Sequence, residues 1–367
     1  MSVVRLHPTF AAYISRQFLT WWFGILLVLV GLIALFDTIE IMRRTASLKN
    51  VAVTDIMAMV LFKLPHLAQK AIPFTVLFGG MMAFWRLNRH HELVVARSSG
   101  VSAWEFLTPV IIVAALIGVV KVTVYNPFAS AMMFRYEQLE ARYFKGDHSL
   151  AAISGKGLWL RQPVPGGNYI LHASKITPAT MSLRNVIAFK FRGAENFVSR
   201  IDAEKATLGI KKWNLENVRI TAPEKPLTTL PTLSLPTNLT QENIQDSFAK
   251  PETMSFWALP GFIKTLEKAG FSGLRHRLYW HSQLADPFLL CAMVLFAAGF
   301  TMRPTRRGGA TTIVIVGVAT GVLIYFTTDV AYALGLSSRL PVFLAAWSPA
   351  TVGCLLSAGL LFHLEDG

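Results

Sequence analysis

The sequence predicts a helical membrane protein with six transmembrane helices and a β domain inserted between the third and the fourth. Hydrophobic residues make up 53% of the 367 residues and charged residues only 15%, whereas about a quarter of a soluble domain is charged. Six apolar stretches approach the ~20 residues that a helix needs to cross a bilayer. Between residues 127 and 250 no apolar stretch reaches that length. The chain is therefore expected to leave the membrane there.

The first three spans are predicted at residues 18–36, at residues 71–85 with the turns before them, and at residues 106–124. The uncharged part of the second span is too short to cross alone, so the helix must include Lys63, His66 and Lys70. Their spacing of i, i+3 and i+7 places them on one helix face. Two interpretations stay open: these residues face a cavity or a partner, or the helix projects beyond the bilayer and they are solvated.

The region after the third span predicts an all-β sandwich or barrel, because segments rich in β-branched and aromatic residues alternate with Gly, Pro and Asn clusters. These segments lie at residues 157–160, 169–173, 186–191, 197–201 and 213–220. A short amphipathic helix follows at 260–269, and the last three spans are predicted at 278–302, 310–334 and 343–362. The expected organisation is 1–126 for spans one to three with a helix near 88–100, 127–255 for the β domain, and 256–367 for a linker helix and spans four to six.

The distribution of basic residues predicts the orientation in the membrane. Six spans place both termini and two of the connections on one side, which carries Arg5, Arg16, Arg86, Arg89, Arg97, Arg303, Arg306 and Arg307. The positive-inside rule makes that side cytoplasmic and puts the β domain on the other side. Arg43, Arg44 and Lys49 lie on the non-cytoplasmic side against this rule. Positive charge is therefore expected to have a function there.

The sequence contains none of the common motifs for catalysis or nucleotide binding. It has no Gly-x-x-x-x-Gly-Lys-Ser/Thr loop, no His-Glu-x-x-His and no Gly-x-Ser-x-Gly, so no ATPase site, catalytic residue, cofactor or metal is predicted. Its two cysteines lie in apolar stretches and form no metal motif. Asp329 in the fifth span is either a proton relay or a helix-packing hydrogen-bond partner.

Residues 90–100 form a short polar stretch between the second and third spans. Residues 92–96 predict about one and a half turns of helix, and Gly100 is a plausible stop just beyond it. A connection between two spans needs only a few residues. The additional helix therefore indicates a docking element for a soluble partner.

This stretch, Glu92-Leu-Val-Val-Ala-Arg-Ser-Ser-Gly100, resembles the coupling helix Glu-Leu-x-x-x-Arg-x-x-Gly of the LptF/LptG family of lipopolysaccharide-export permeases. Residues 73–86, 157–159, 255–270 and 277–287 are similar to the family's second span, the start of its β-jellyroll and its link into the fourth span. The resemblance covers nearly the whole chain in order. Within the family, Glu-Leu-Val-Val and Leu-Glu-Lys-Ala-Gly at residues 266–270 favour the LptG branch.

The resemblance implies a permease subunit of an ATP-driven transporter in the bacterial inner membrane. Such a subunit would extract lipopolysaccharide from that membrane and pass it to a periplasmic bridge for export to the outer membrane. The implied partners are an LptF-type permease in a heterodimer, an LptB-type ATPase dimer and an LptC-type membrane-anchored jellyroll protein. The β domain would then be a periplasmic β-jellyroll.

The resemblance also implies two sets of functional residues. Contacts to the ATPase are expected from Glu92, Leu93, Val94, Arg97 and Gly100. Contacts to the phosphates of lipopolysaccharide are expected from Arg43, Arg44, Lys63, His66 and Lys70. His66 occupies a position where family members often have lysine, and histidine is only partly charged at neutral pH.

The residues alone leave two other function classes open. A membrane-anchored envelope scaffold would bind another protein through its β domain, but six spans with polar faces exceed what an anchor needs. A proton-driven secondary transporter would show an internal repeat and matching broken helices, and neither is visible in the sequence. Copurification of a soluble nucleotide-hydrolysing subunit would distinguish the permease from both.

Overall fold

A computed structural model describes the chain over residues 8–46, 52–98, 102–145, 150–154, 157–164, 167–177, 182–192, 196–209, 211–223, 226–237, 249–268, 271–302 and 310–365. The chain divides into a helical unit and a sheet unit. The helical unit comprises Met1–Leu139, Ser255–Trp257 and Arg277–Gly367, and the sheet unit comprises Glu140–Met254 and Ala258–His276.

The first half of the helical unit consists of long helices joined by short segments. Their bounds are α1 at Pro8–Thr45, α2 at Val53–Arg89, the short α3 at Glu92–Ser98, α4 at Ala103–Val120 and α5 at Asn126–Glu140. Among the described residues, six helical stretches are long and apolar enough to cross a membrane, which confirms the six predicted spans. Helix α1 has 38 residues and α2 has 37. At 1.5 Å per residue each helix is about 55 Å long, well beyond the ~30 Å hydrocarbon core.

The third spanning helix does not end where the sequence pattern changes. A π-helical turn at Lys121–Tyr125 joins α4 to α5, and a second one follows at Ala141–Lys145. Pro127 cannot donate to the carbonyl four residues earlier, and the indole of Trp257 donates to that Thr123 carbonyl at 3.1 Å instead. The helix therefore continues through the proline, and the first described strand begins at Leu150.

Within the described residues, the sheet unit contains seven antiparallel strands in the order of the chain. They are β1 at Leu150–Ser154, β2 at Gly157–Val164, β3 at Gly167–Thr177, β4 at Ser182–Arg192, β5 at Asn196–Gly209, β6 at Lys212–Thr221 and β7 at Thr228–Pro236. Each segment predicted to be β falls within one of these strands, which confirms the inserted β domain. Short connections pair each strand with its neighbours in the chain, so the described strands form one antiparallel meander.

One face of the sheet is covered by α6 at Leu259–Lys268, the predicted amphipathic helix. Leu266 of α6 and the following Phe271 pack into the core of the sheet unit beside Leu171, Trp213 and Leu215. The predicted end of this helix at Gly270 lies outside the described residues.

The last three spanning helices are α7 at Leu274–Thr301, α8 at Ala310–Leu336 and α9 at Val342–Glu365. The core of the helical unit joins α1, α2, α4 and α7 through residues such as Phe18, Phe84, Leu107 and Met293. The seam between α1 and α2 is tight at Gly79, because a Cβ there would lie 2.7 Å from the Cα of Trp22. The predicted basic connection at 303–309 lies outside the described residues.

Candidate substrate-binding and coupling sites

The end of α1 carries two of the predicted phosphate contacts, Arg43 and Arg44, in its last turn. Both side chains are exposed. The Arg43 guanidinium donates to Oε2 of Glu40 through Nη2 at 2.7 Å and through Nε at 3.0 Å. The side chains of this ion pair are 76% and 44% exposed, and pairs of this kind contribute only about 0–1 kcal/mol. Arg43 can therefore leave Glu40 for a ligand at little cost.

Lys63 of α2 is the third predicted contact, and it makes an ion pair with Asp37 of α1. Asp37 is buried and Lys63 is partly buried, at 9% and 21% side-chain exposure. The Lys63 ammonium also lies 5.5 Å from the ring centroid of Tyr136. The second carboxylate oxygen of Asp37, Oδ2, is buried and has no hydrogen-bond partner within the described residues. This pair connects two helices that the sequence could not place side by side.

The remaining predicted contacts, His66 and Lys70, differ in their accessibility. His66 is buried and Lys70 is exposed, although the sequence spacing places both on one face with Lys63. Neighbouring helices cover the middle of this face, so a ligand can reach His66 only if the helices separate. The residues that the structure leaves accessible to an anion are Arg43, Arg44, Lys70 and, in part, Lys63.

A second ion pair lies inside the helical unit and was not predicted. The Lys121 ammonium, in the first π-helical turn, donates to Oδ2 of Asp286 in α7 at 2.6 Å, and the two side chains are only 5% and 17% exposed. Beside it, the buried Gln69 of α2 donates to Oε1 of Gln283 in α7 at 3.1 Å. The sequence contains one sign of this ion pair, because Lys121 and Asp286 carry opposite charges inside two predicted spans. It does not show that the two residues meet.

The predicted coupling stretch folds as the short helix α3. His91, with a φ of 58°, separates it from α2. Oε2 of Glu92 accepts a hydrogen bond from the Tyr13 hydroxyl of α1 at 3.0 Å, and Leu93 is buried in the core of the helical unit. Both residues therefore hold α3 to its own chain, and Val95 is an apolar side chain that α3 exposes.

Other members of the predicted coupling set are not described in the same detail. The side chains of Val94 and Arg97 lie outside the described part of the structure, and so does Gly100. After this gap, α4 begins with a capping box in which Ser102 and Glu105 bond to each other's backbone amides at 3.1 and 3.2 Å. This cap fixes the residue at which α4, the first part of the third span, begins.

The fold is that of a multi-pass membrane protein with a β domain inserted after its third spanning helix. The family model for the lipopolysaccharide export system permease LptF/LptG matches residues 12–363, and the chain therefore belongs to this family. It is similar to the lipopolysaccharide export system permease protein LptG of Haemophilus influenzae, with 22% identity over 98% of this chain and 99% of the relative. The protein of the same name from Escherichia coli is 24% identical over 83% of this chain and 84% of its own length.

These comparisons confirm the family resemblance over nearly the whole chain. Membership indicates a multi-pass protein of the inner membrane and a transporter subunit, not a catalytic enzyme. It also implies a permease heterodimer in the lipopolysaccharide export system.

Proposed function

We propose that this chain is the LptG-type permease subunit of an ATP-driven transporter. It extracts lipopolysaccharide from the inner membrane and passes it to the periplasmic bridge for export to the outer membrane. The family match supports the class of protein. The observation that supports the substrate contact is the group of exposed or partly exposed cations on α1 and α2, namely Arg43, Arg44, Lys63 and Lys70.

The depth of these cations follows from helix geometry. We take Arg86, at the opposite end of α2, as the cytoplasmic boundary that the positive-inside rule assigns. Lys70 precedes Arg86 by 86 − 70 = 16 residues, and Lys63 precedes it by 86 − 63 = 23 residues. At 1.5 Å per residue these separations are about 24 and 35 Å. The hydrocarbon core is about 30 Å thick, so the two lysines flank its far boundary, where the headgroup phosphates lie.

The chemistry of the site suits phosphate. Arg43 and Arg44 can bind phosphate oxygens through two charge-assisted hydrogen bonds each. Lys70 adds an exposed ammonium on the neighbouring helix, and Lys63 becomes available when it leaves Asp37. His66 joins the site only in a state in which the helices separate.

Docking of the ATPase and transfer of the substrate use other surfaces of the proposed permease subunit. The helix α3 docks on an LptB-type ATPase dimer, and the β domain, on the periplasmic side, passes lipopolysaccharide to an LptC-type protein. Only 6% of the residues in the apolar stretch of α1 are buried within the chain, and only 17% of those in the apolar stretch of Val314–Leu336. These faces leave room for lipid and for an LptF-type permease in the heterodimer.

The test is the double variant Arg43→Ala/Arg44→Ala in the purified complex. Lipopolysaccharide binding and its stimulation of ATP hydrolysis should fall about tenfold, because two charge-assisted contacts are lost. Gel filtration should show unchanged assembly. Arg339→Ala, an exposed arginine between α8 and α9, is the matched control.

Unchanged lipopolysaccharide binding in the double variant would mean that the two arginines only anchor the helix among phospholipid headgroups. Absence of any nucleotide-hydrolysing subunit from the purified complex would favour the scaffold interpretation instead.

A further inference from the structure

The short helix α3 is attached to α1 by a directional contact as well as by apolar packing. The Tyr13 hydroxyl of α1 donates to the carboxylate of Glu92, at 3.0 Å from Oε2 and 3.3 Å from Oε1. Ile14 and Phe18 of α1 belong to the same buried cluster as Leu93 of α3. Apolar packing has no preferred direction, whereas a hydrogen bond weakens steeply when it is misaligned. The hydrogen bond is therefore the contact that fixes the orientation of α3 against α1.

Helix α1 carries the exposed cations Arg43 and Arg44 at its other end. Arg43 follows Tyr13 by 43 − 13 = 30 residues, which is about 45 Å of helix. Pro8 is the first residue of α1 and no other proline follows in it, so no proline interrupts its backbone hydrogen bonds. Only 6% of the residues in its apolar stretch are buried, against 67% in that of α2. Helix α1 can therefore move as one piece, and a displacement at the arginines is carried to Tyr13.

Helix α2 is joined to α3 directly in the chain, but it is the less rigid connection. Pro65 and Pro73 lie inside it, and each removes a helical hydrogen bond and allows the helix to bend. Pro73 separates both Lys63 and Lys70 from α3. His91, with a φ of 58°, then interrupts the helix before α3 begins. A displacement of α2 at its lysines can therefore be absorbed before it reaches α3.

From these contacts we propose that Tyr13 is a positioning residue for ATP-driven transport. By holding Glu92, it makes α3, and through α3 the ATPase, respond to substrate bound at the cations of α1. This inference rests on the proposed function, since it requires both the phosphate site and the docking of α3 on the ATPase. Tyr13 lies far from the proposed phosphate site and acts through Glu92. Loss of its hydroxyl should therefore disconnect substrate binding from ATP hydrolysis without abolishing either.

The experiment measures ATP hydrolysis by the purified complex over a series of lipopolysaccharide concentrations. Tyr13→Phe removes the hydroxyl and keeps the aromatic ring. The increment in hydrolysis that lipopolysaccharide produces should fall about fivefold, the factor that corresponds to one hydrogen bond. The basal rate and the half-saturating lipopolysaccharide concentration should stay as in the wild type, because the proposed contacts to the ATPase and to the substrate are unchanged.

Thr20→Val is the matched control. The Thr20 hydroxyl, also on α1, donates to the Arg16 carbonyl of the same helix at 2.8 Å, so its loss removes a hydrogen bond that does not involve α3. The increment in hydrolysis should stay as in the wild type. Tyr13→Arg restores a donor that can reach Glu92, and it should recover most of the increment that Tyr13→Phe loses.

A full increment in Tyr13→Phe, or no recovery in Tyr13→Arg, would overturn the inference. So would a parallel loss of basal rate, increment and assembly by gel filtration in Tyr13→Phe, because Tyr13 would then only hold α3 in place. Failure of the proposed function gives a different result: lipopolysaccharide would not stimulate hydrolysis by the wild-type complex. That result would overturn the proposed function and the inference with it.

Discussion

Two ion pairs of the helical unit have nearly the same nitrogen–oxygen distance and opposite surroundings. Lys121 and Asp286 lie 2.6 Å apart with almost no exposure, and Arg43 and Glu40 lie 2.7 Å apart at the surface. Distance alone would rank them as equals. Burial separates them, because a buried charge that loses its partner stays unsolvated, whereas an exposed charge is stabilised by water.

The difference indicates what each pair can do. The Lys121–Asp286 pair cannot exchange partners cheaply, so it holds the π-helical turn against α7. The Arg43–Glu40 pair can open for a ligand. In the pair of Asp37 and Lys63, the cation is more exposed than Lys121, at 21% against 5%, but the carboxylate is more buried than Asp286, at 9% against 17%. A phosphate can therefore reach Lys63 in part, but the exchange leaves Asp37 buried without its partner.

The largest effect that tests this comparison is expected from Lys121→Met. The substitution leaves Asp286 buried without its partner, and breaking such a pair costs about 3–5 kcal/mol. The purified complex should lose its monodisperse gel-filtration peak at a much lower temperature than the wild type.

Its control is the double variant Lys121→Met/Asp286→Leu, which removes both charges and should recover most of the thermal stability. A Lys121→Met complex as stable as the wild type would contradict the structural role of this pair.

The next largest effect concerns Glu92, whose hydrogen bond with the Tyr13 hydroxyl lies at the surface of the helical unit. Glu92→Lys reverses a charge at the proposed contact with the ATPase, where losses of about 2–5 kcal/mol are typical. The variant should still insert into the membrane but should no longer copurify with the ATPase subunit.

Tyr13→Phe tests the intramolecular part of the Glu92 contact alone. It removes one hydrogen bond of about 1 kcal/mol without changing charge, and copurification should decrease only slightly. If the Glu92→Lys variant retains full ATPase copurification and transport, α3 is not the coupling helix.

A smaller effect tests whether close packing also determines the cost of a substitution that involves no charge. Gly79→Ala places a Cβ 2.7 Å from the backbone of Trp22, so α1 and α2 must move apart, at a cost of about 1–3 kcal/mol for overpacking. The melting temperature of the purified complex should decrease. Gly31→Ala on α1 has open space around its Cβ and should leave the melting temperature unchanged or raise it slightly. Equal effects at the two glycines would show that the seam is not tightly packed.

The sequence by itself determined the spans, five of the seven described strands (β2 to β6), α6 and α3. Apolar length, the alternation within strands and the helical period are local properties, and each can be counted along a few turns of chain. The residues of the proposed phosphate site were also predicted from sequence, because arginines such as Arg43 and Arg44 stood out against the positive-inside rule.

The tertiary structure alone decided which of these residues have partners. Asp37 meets Lys63 across 26 residues and Lys121 meets Asp286 across 165, and no local pattern encodes such distances. The same holds for the burial of His66 and Leu93, which depends on neighbouring helices. The indole of Trp257, distant in sequence, likewise donates to the Thr123 carbonyl just before Pro127. Charge and hydropathy belong to single residues, whereas pairing and burial belong to contacts, and these exist only once the helices have packed.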